Sequence, residues 1–253
     1  MDADTEKTAK PCRRWFRFRL RTLLIVVTVL SVPLGWVGWM LGEVRRERAT
    51  KTWVEEKGGR VHILSGTTGD ERSWWKKNTD KWFRERVWAV RLSNTQVSDL
   101  SPLAELKNLE RLQFSNTQVS DLSPLAELKN LEWLSLSSQV SDLSPLAELK
   151  SLKRLYFSNT QVSDLSPLAE LKNLERLYFS NTQVSDLSPL AELKNLEWLD
   201  LRDTQVNDLS PLADLKSLEL LRLENTQVSD EQVQELRQAL PHCLIIHSPR
   251  VVE

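Results

Sequence analysis

A single motif, repeated at a fixed interval, limits what this chain can become. Residues 116–136 carry it in full: Asn116-Thr117-Gln118-Val119, then Asp121-Leu122-Ser123-Pro124-Leu125-Ala126, then Leu131, Leu134 and Leu136. Its Gln-Val pair returns at Gln96, Gln118, Gln139, Gln161, Gln183, Gln205 and Gln227, in steps of 22, 21, 22, 22, 22 and 22 residues. A period in the twenties built on leucine belongs to stacked coils, because one coil cannot bury its own apolar face but neighbours can share a continuous core.

Within each period, Leu109, Leu112 and Phe114, or Leu174, Leu177 and Phe179, form a Leu-x-x-Leu-x-Leu/Phe segment whose end alternates apolar and polar residues. That alternation predicts a short strand with one buried face. The turn Asn-Thr-Gln follows, and then Ser-Pro-Leu-Ala. Proline at the first position of a helical turn, behind a serine able to cap it, predicts a short helical return.

This pattern resembles the leucine-rich-repeat family, in particular the 22-residue bacterial class typified by internalins, over about residues 87–247. The resemblance implies an α/β solenoid: an arc with a parallel concave sheet and short helical or 3-10 convex returns. One departure stands out. Where the family places an asparagine that bridges turns, this chain has Thr95, Thr117, Ser138, Thr160, Thr182, Thr204 and Thr226. Hydroxyls there are expected to satisfy the turn backbone with fewer bonds.

The front third has a different composition. All seven glycines precede residue 70, whereas six of the ten prolines occupy the Ser-Pro slot of the array. Residues 1–21 carry seven Lys/Arg, and residues 22–42 then contain no charge for 21 positions. Such a run is long enough to cross a roughly 30 Å hydrocarbon layer as a helix, and Trp36 and Trp39 near its end suit an interfacial belt. A cleaved signal peptide would have a shorter apolar stretch ending in small residues. Phe16 to Leu24, leading into this run, also resembles the amino-terminal anchor of many bacterial leucine-rich-repeat proteins.

The expected order is therefore a basic cytoplasmic segment (1–21), a transmembrane helix (22–42), a juxtamembrane helix with an N-terminal cap (43–86), the repeats (87–228) and a C-terminal cap (229–253). The flanking charge bias places the repeats outside the cytoplasm, in the periplasm, with a margin of seven Lys/Arg before the apolar run against six in residues 43–60. Gly58-Gly59 should stop the juxtamembrane helix, Arg60 to Leu64 should form a strand, and Trp74, Trp75, Trp82 and Phe83 should plug the open first coil. At the other end, Ser229 should cap a helix that buries Val233, Leu236 and Leu240 and stops at Pro241 before a last strand.

Two columns differ between otherwise near-identical coils. They hold the strand residues that point away from the core, and the expected protein-binding set on this concave face is Arg91, Arg111, Trp133, Arg154, Tyr156, Arg176, Tyr178, Trp198, Asp200 and Arg222. Tryptophan, tyrosine and arginine dominate the energetic anchors of protein interfaces. Unselected drift would instead favour lysine, glutamate and serine at exposed positions. Net charge is −1, and glutamates at the strand entrances offset the arginines, so nucleic acid is not an expected partner.

No catalytic, cofactor or metal site is expected. His242, Cys243 and His247 lack the spacing of a zinc site, and the repeated Ser-Asp pairs offer no unique convergent centre. The expectation is a monomeric, membrane-anchored protein that recognises an unidentified protein partner, with an envelope spacer or cell-wall glycan-binding module as the alternative.

Overall fold

The computed structural model describes residues 31, 38, 42–64 and 86–248. The chain divides into two compact units between Arg45 and Arg46. Of the first unit, Ser31, Gly38 and residues 42–45 are described, all of them helical. Among the described residues no helix is long and apolar enough to cross a membrane. Apart from Ser31, Gly38 and Gly42, the span expected over 22–42 lies outside them, as do Trp74, Trp75, Trp82 and Phe83.

The second unit is one nine-stranded sheet whose spatial order follows the chain. Its strands are β1 (Arg60–Leu64), β2 (Arg86–Arg91), β3 (Arg111–Gln113), β4 (Trp133–Ser135), β5 (Arg154–Tyr156), β6 (Arg176–Tyr178), β7 (Trp198–Asp200), β8 (Leu220–Arg222) and β9 (Leu244–Ile246). β1 runs antiparallel to β2 with an irregularity between His62 and Ile63. Every later pair is parallel, and the central leucines align as Leu112, Leu134, Leu155, Leu177, Leu199 and Leu221. Strict register follows from the 22-residue copy, since each coil offers its neighbour the same backbone groups.

The returns are 3-10 turns at Ser-Pro-Leu, such as Ser123–Leu125 and Ser166–Leu168. Proline sits at their start as expected, but the serine hydroxyl does not cap them. Asp121 and Asp164 do so instead, each accepting the amide of the serine two residues on at 2.8 Å. An aspartate closing an Asx turn fits because its short side chain reaches the second amide ahead.

The core is a stack of leucines, valines and phenylalanines with almost no exposure, and Phe157 and Phe179 stack at 5.4 Å within it. The threonine column is buried, but apart from Thr117, whose hydroxyl meets no hydrogen-bond partner among the described residues, its hydroxyls bond within their own coils: Thr160 Oγ1 donates to the Phe157 carbonyl and Thr182 Oγ1 to that of Phe179. Coils are bridged by amide side chains the sequence reasoning passed over. Asn116 donates to Asn94, Asn181 to Asn159 and Gln118 to Gln96, while Asn130 reaches the Lys107 carbonyl. Asn94, Asn116, Asn159 and Asn181 have φ of 52–59°, a left-handed conformation that asparagine tolerates better than most residues.

One expectation needs correcting at the 21-residue step. Ser138 is exposed, and Ser137 is the buried serine, donating to the Thr117 carbonyl at 2.8 Å. The missing residue is the left-handed asparagine itself, so this coil turns without a positive φ and the asparagine row is interrupted there.

Both ends are covered. Residues 46–56 are helical, and Gly58, at φ +78°, closes the helix with its amide on Glu55 O while Gly59 bonds Val54 O. This paired bond pattern is the Schellman stop that a left-handed glycine allows. Val54 enters the core, and Thr50 Oγ1 donates to the Pro102 carbonyl on the first coil. At the far end, the helix Asp230–Ala239 is capped by Ser229, which accepts from the Gln232 amide, and it buries Val233 and Leu236.

The aspartate caps make acid stability predictable. Hydrogen bonds from the serine hydroxyl and then the serine amide hold Asp99, Asp121, Asp142, Asp164 and Asp186 below the ordinary carboxylate value. A depressed folded pKa contributes stability that is present above the unfolded pKa and lost as pH falls through the folded one. The thermal midpoint should therefore fall below about pH 4. A triple Asp121→Asn, Asp142→Asn, Asp164→Asn variant should start lower at neutral pH and lose less on acidification; an identical acid slope would refute the assignment.

Candidate functional site

Alternation along each strand buries Leu112, Leu134, Leu155, Leu177 and Leu199 and turns their neighbours to the outer face. Parallel strands lie about 4.8 Å apart, so residues in the same column meet directly. The geometry of this face is therefore a consequence of the repeat, while its chemistry is set by whatever each coil carries in the two columns.

Tyr156 and Tyr178 are register partners, and their rings stack at 4.5 Å with an interplanar angle of 6°. Trp133 tilts against Tyr156 at 5.4 Å, which extends the aromatic contact over three strands. Across the next pair, the Arg176 guanidinium lies 4.2 Å from the Trp198 ring centroid. Cation and ring there hold each other flat, an arrangement that limits the rotamers either loses on binding. Partial burial, followed by the Tyr156 phenol beside it, raises the Tyr178 pKa, so its hydroxyl stays a proton donor.

At the C-terminal end the chemistry changes. Asp200 is only 4% exposed. Its carboxylate accepts from Arg202 Nε at 2.9 Å and Nη2 at 2.7 Å, and Arg222 Nη1 lies 3.8 Å away. Arg222 also donates to Glu224 Oε1 at 2.8 Å. Asp200 was expected among the contact residues; its burial makes it the group that orients two arginines instead. Arg202 was missed, although a signal was present: it stands where other coils carry Ser93, Ser115, Ser137, Ser158 and Ser180.

At the N-terminal end Arg91 and Arg111 are exposed, and Arg111 extends over the Trp88 ring at 5.3 Å from its centroid. Trp88, also missed, occupies the strand-entrance position that carries Glu110, Glu132, Glu175, Glu197 or Glu219 in other coils. Arg154 lies on β5 between Trp133 and Arg176 in the same column.

The C-terminal cap places His247 Nε2 3.4 Å from Asp230 Oδ1, an acidic neighbour the linear spacing did not reveal. Cys243 is half-buried, and burial pushes its thiol up to about 11, which leaves it protonated and unreactive. Among the described residues no group of three or more His, Cys, Asp and Glu side chains is placed to hold a metal.

The family described as Leucine Rich repeats (2 copies) matches residues 90–127, 129–170, 150–192 and 194–238. Among solved structures, internalin C2 of Listeria monocytogenes is 32% identical with a TM-score of 0.59, covering 66% of this chain and 74% of that protein. Another internalin of that organism is 27% identical with a TM-score of 0.55, covering 66% of this chain and 56% of its own. A leucine-rich-repeat protein of Leptospira interrogans is 30% identical with a TM-score of 0.56, covering 61% of this chain and 41% of its own. The chain thus spans about half the length of those last two. No curated protein matches the sequence. Proteins of this type generally mediate protein–protein interaction. Repeat period, parallel register and these similarities together place the chain in the leucine-rich-repeat family, in its internalin-like class.

Proposed function

We propose that this protein captures a protein partner on the outer face of its sheet. The observation that carries the proposal is the continuous Trp133–Tyr156–Tyr178 contact followed by the Arg176–Trp198 pair, five side chains from four successive coils held in register. Anchors already packed against one another lose little freedom on binding, which favours affinity. The ring faces of Tyr156 and Tyr178 cover each other, so their edges and hydroxyls face outward. That suits protein side chains better than the flat stacking a sugar requires. No step calls for catalysis, and the protein acts as a monomeric receptor without a cofactor.

The test is in-membrane crosslinking of the full chain, compared with a Trp133→Ala, Trp198→Ala variant. Loss of two hot-spot residues should reduce capture by about thirtyfold or more, with the unfolding midpoint nearly unchanged. Undiminished capture would remove the face from consideration.

The proposal extends to topology. Residues 1–21 lie in the cytoplasm, 22–42 span the membrane, and the repeats stand outside it, an arrangement supported by the uncharged run and the flanking basic residues. Alkaline phosphatase fused after Glu253 should be active, because it matures only outside the cytoplasm. An inactive fusion of normal abundance would reverse the orientation.

A further inference from the structure

The outer face is electrically asymmetric, and the asymmetry points to the chemistry of what binds. Just after β7 and on β8 the arginines are already ion-paired: Arg202 with Asp200, and Arg222 with Glu224. At β2 to β5 they are not. Among the described residues Arg91 and Arg154 form no ion pair, and Arg111 meets only the Trp88 ring.

Arg91 and Arg111 share an open cleft of about 600 Å³ with Trp88, Gln113, Trp133 and Tyr156. Among the described residues no carboxylate lines it. The two arginines stand on paired strands, because Arg91 aligns with Gln113 and Arg111 with Ala89, so both guanidinium groups can converge on one anion. His62, tilted against Trp88 at 6.3 Å, closes the β1 side.

We propose that this cleft is the anchor subsite for a carboxylate side chain on an extended acidic segment of the protein partner, with the adjoining apolar residue resting on Trp133 and Tyr156. This rests on the outer-face function proposed above and specifies where and by what chemistry the partner is held. Charge complementarity supports it, since arginine forks bind carboxylates bidentately with shorter, stronger bonds than neutral pairs make. A long polyanion fits less well. Glu110 and Glu132 stand at the strand entrances beside the arginine column and would repel a continuous run of negative charge, and only Glu132 is offset, by Lys153 at 3.0 Å.

The experiment uses the purified full chain in detergent micelles on an array of nonapeptides. The central residue is Asp, Glu, Asn, Gln or Lys, and the flanks sample leucine, tyrosine and glycine. Asp and Glu peptides with an apolar flank should be retained about tenfold or more above their amide counterparts. Arg91→Gln with Arg111→Gln should erase that preference without shifting the unfolding midpoint, because neither guanidinium supports the fold through an ion pair. Arg202→Gln, at the ion-paired end, should leave the preference intact.

Equal retention of acidic and amide peptides would overturn the carboxylate subsite while leaving protein capture by the face in place, and so would the absence of any retained peptide. Displacement of acidic peptides by polygalacturonate or polyphosphate at equal charge concentration, but not by free glutamate, would overturn it in favour of a polyanion surface. The crosslinking comparison at Trp133 and Trp198 reads separately whether the face binds protein at all.

Discussion

Phe157→Ala should lower the unfolding free energy by about 3–5 kcal/mol, read by urea denaturation, whereas Tyr156→Ala beside it should cost less than about 1.5 kcal/mol. The two rings are adjacent in sequence and each stacks on its copy in the next coil, but only Phe157 is fully enclosed. Each coil in a linear array touches just its neighbours, so the space left by the ring can be refilled only by Phe179 and the leucines on either side. Close packing keeps those side chains in place, and the cavity persists. Phe157 also follows the 21-residue step, where the asparagine row is interrupted. Weakening the core there should uncouple the two flanks and broaden the transition, seen as a smaller slope against denaturant. A cost below about 1 kcal/mol would mean the coils collapse onto one another, and a shared rigid core would no longer describe the array.

Asp200→Ala should be the most damaging change on the outer face, costing about 2 kcal/mol. The carboxylate accepts two short hydrogen bonds from Arg202 and lies near Arg222. Its side chain is 6% exposed while those of the arginines are 34% and 33% exposed, so the cations left behind can recover part of their hydration. That recovery keeps the loss below the range for a fully buried pair. Asp200→Asn, which retains an acceptor without the charge, should fall between wild type and alanine. High salt should narrow the gap between wild type and Asp200→Ala, since screening weakens the same attraction. A variant as stable as the wild type would show that the cluster is only a surface contact. Loss of partner capture in Asp200→Ala at unchanged stability would instead restore Asp200 as a direct contact.

The repeat alone determined most of the fold. A 22-residue copy places the same leucine at the same depth in every coil, so burial, strand register and outer columns follow from counting. The helix over residues 230–239 was equally legible, because Ser229 as N-cap and the spacing of Val233, Leu236 and Leu240 are short-range signals. Tertiary structure decided what requires knowing which side chains meet. Linear text makes the serine of Ser-Pro look like the cap, yet Asp121 and its copies reach the amide first. It places Ser138 in the hydroxyl column, yet a one-residue deletion shifts that role to Ser137. Arg176 on Trp198, Arg202 on Asp200 and asparagine on asparagine join residues on successive turns or across a bend. Periodicity fixes where a Cβ points, whereas rotamer choice among crowded neighbours fixes which groups remain free to bind, and on this face that distinction separates the occupied Asp200 from the unpaired Arg91.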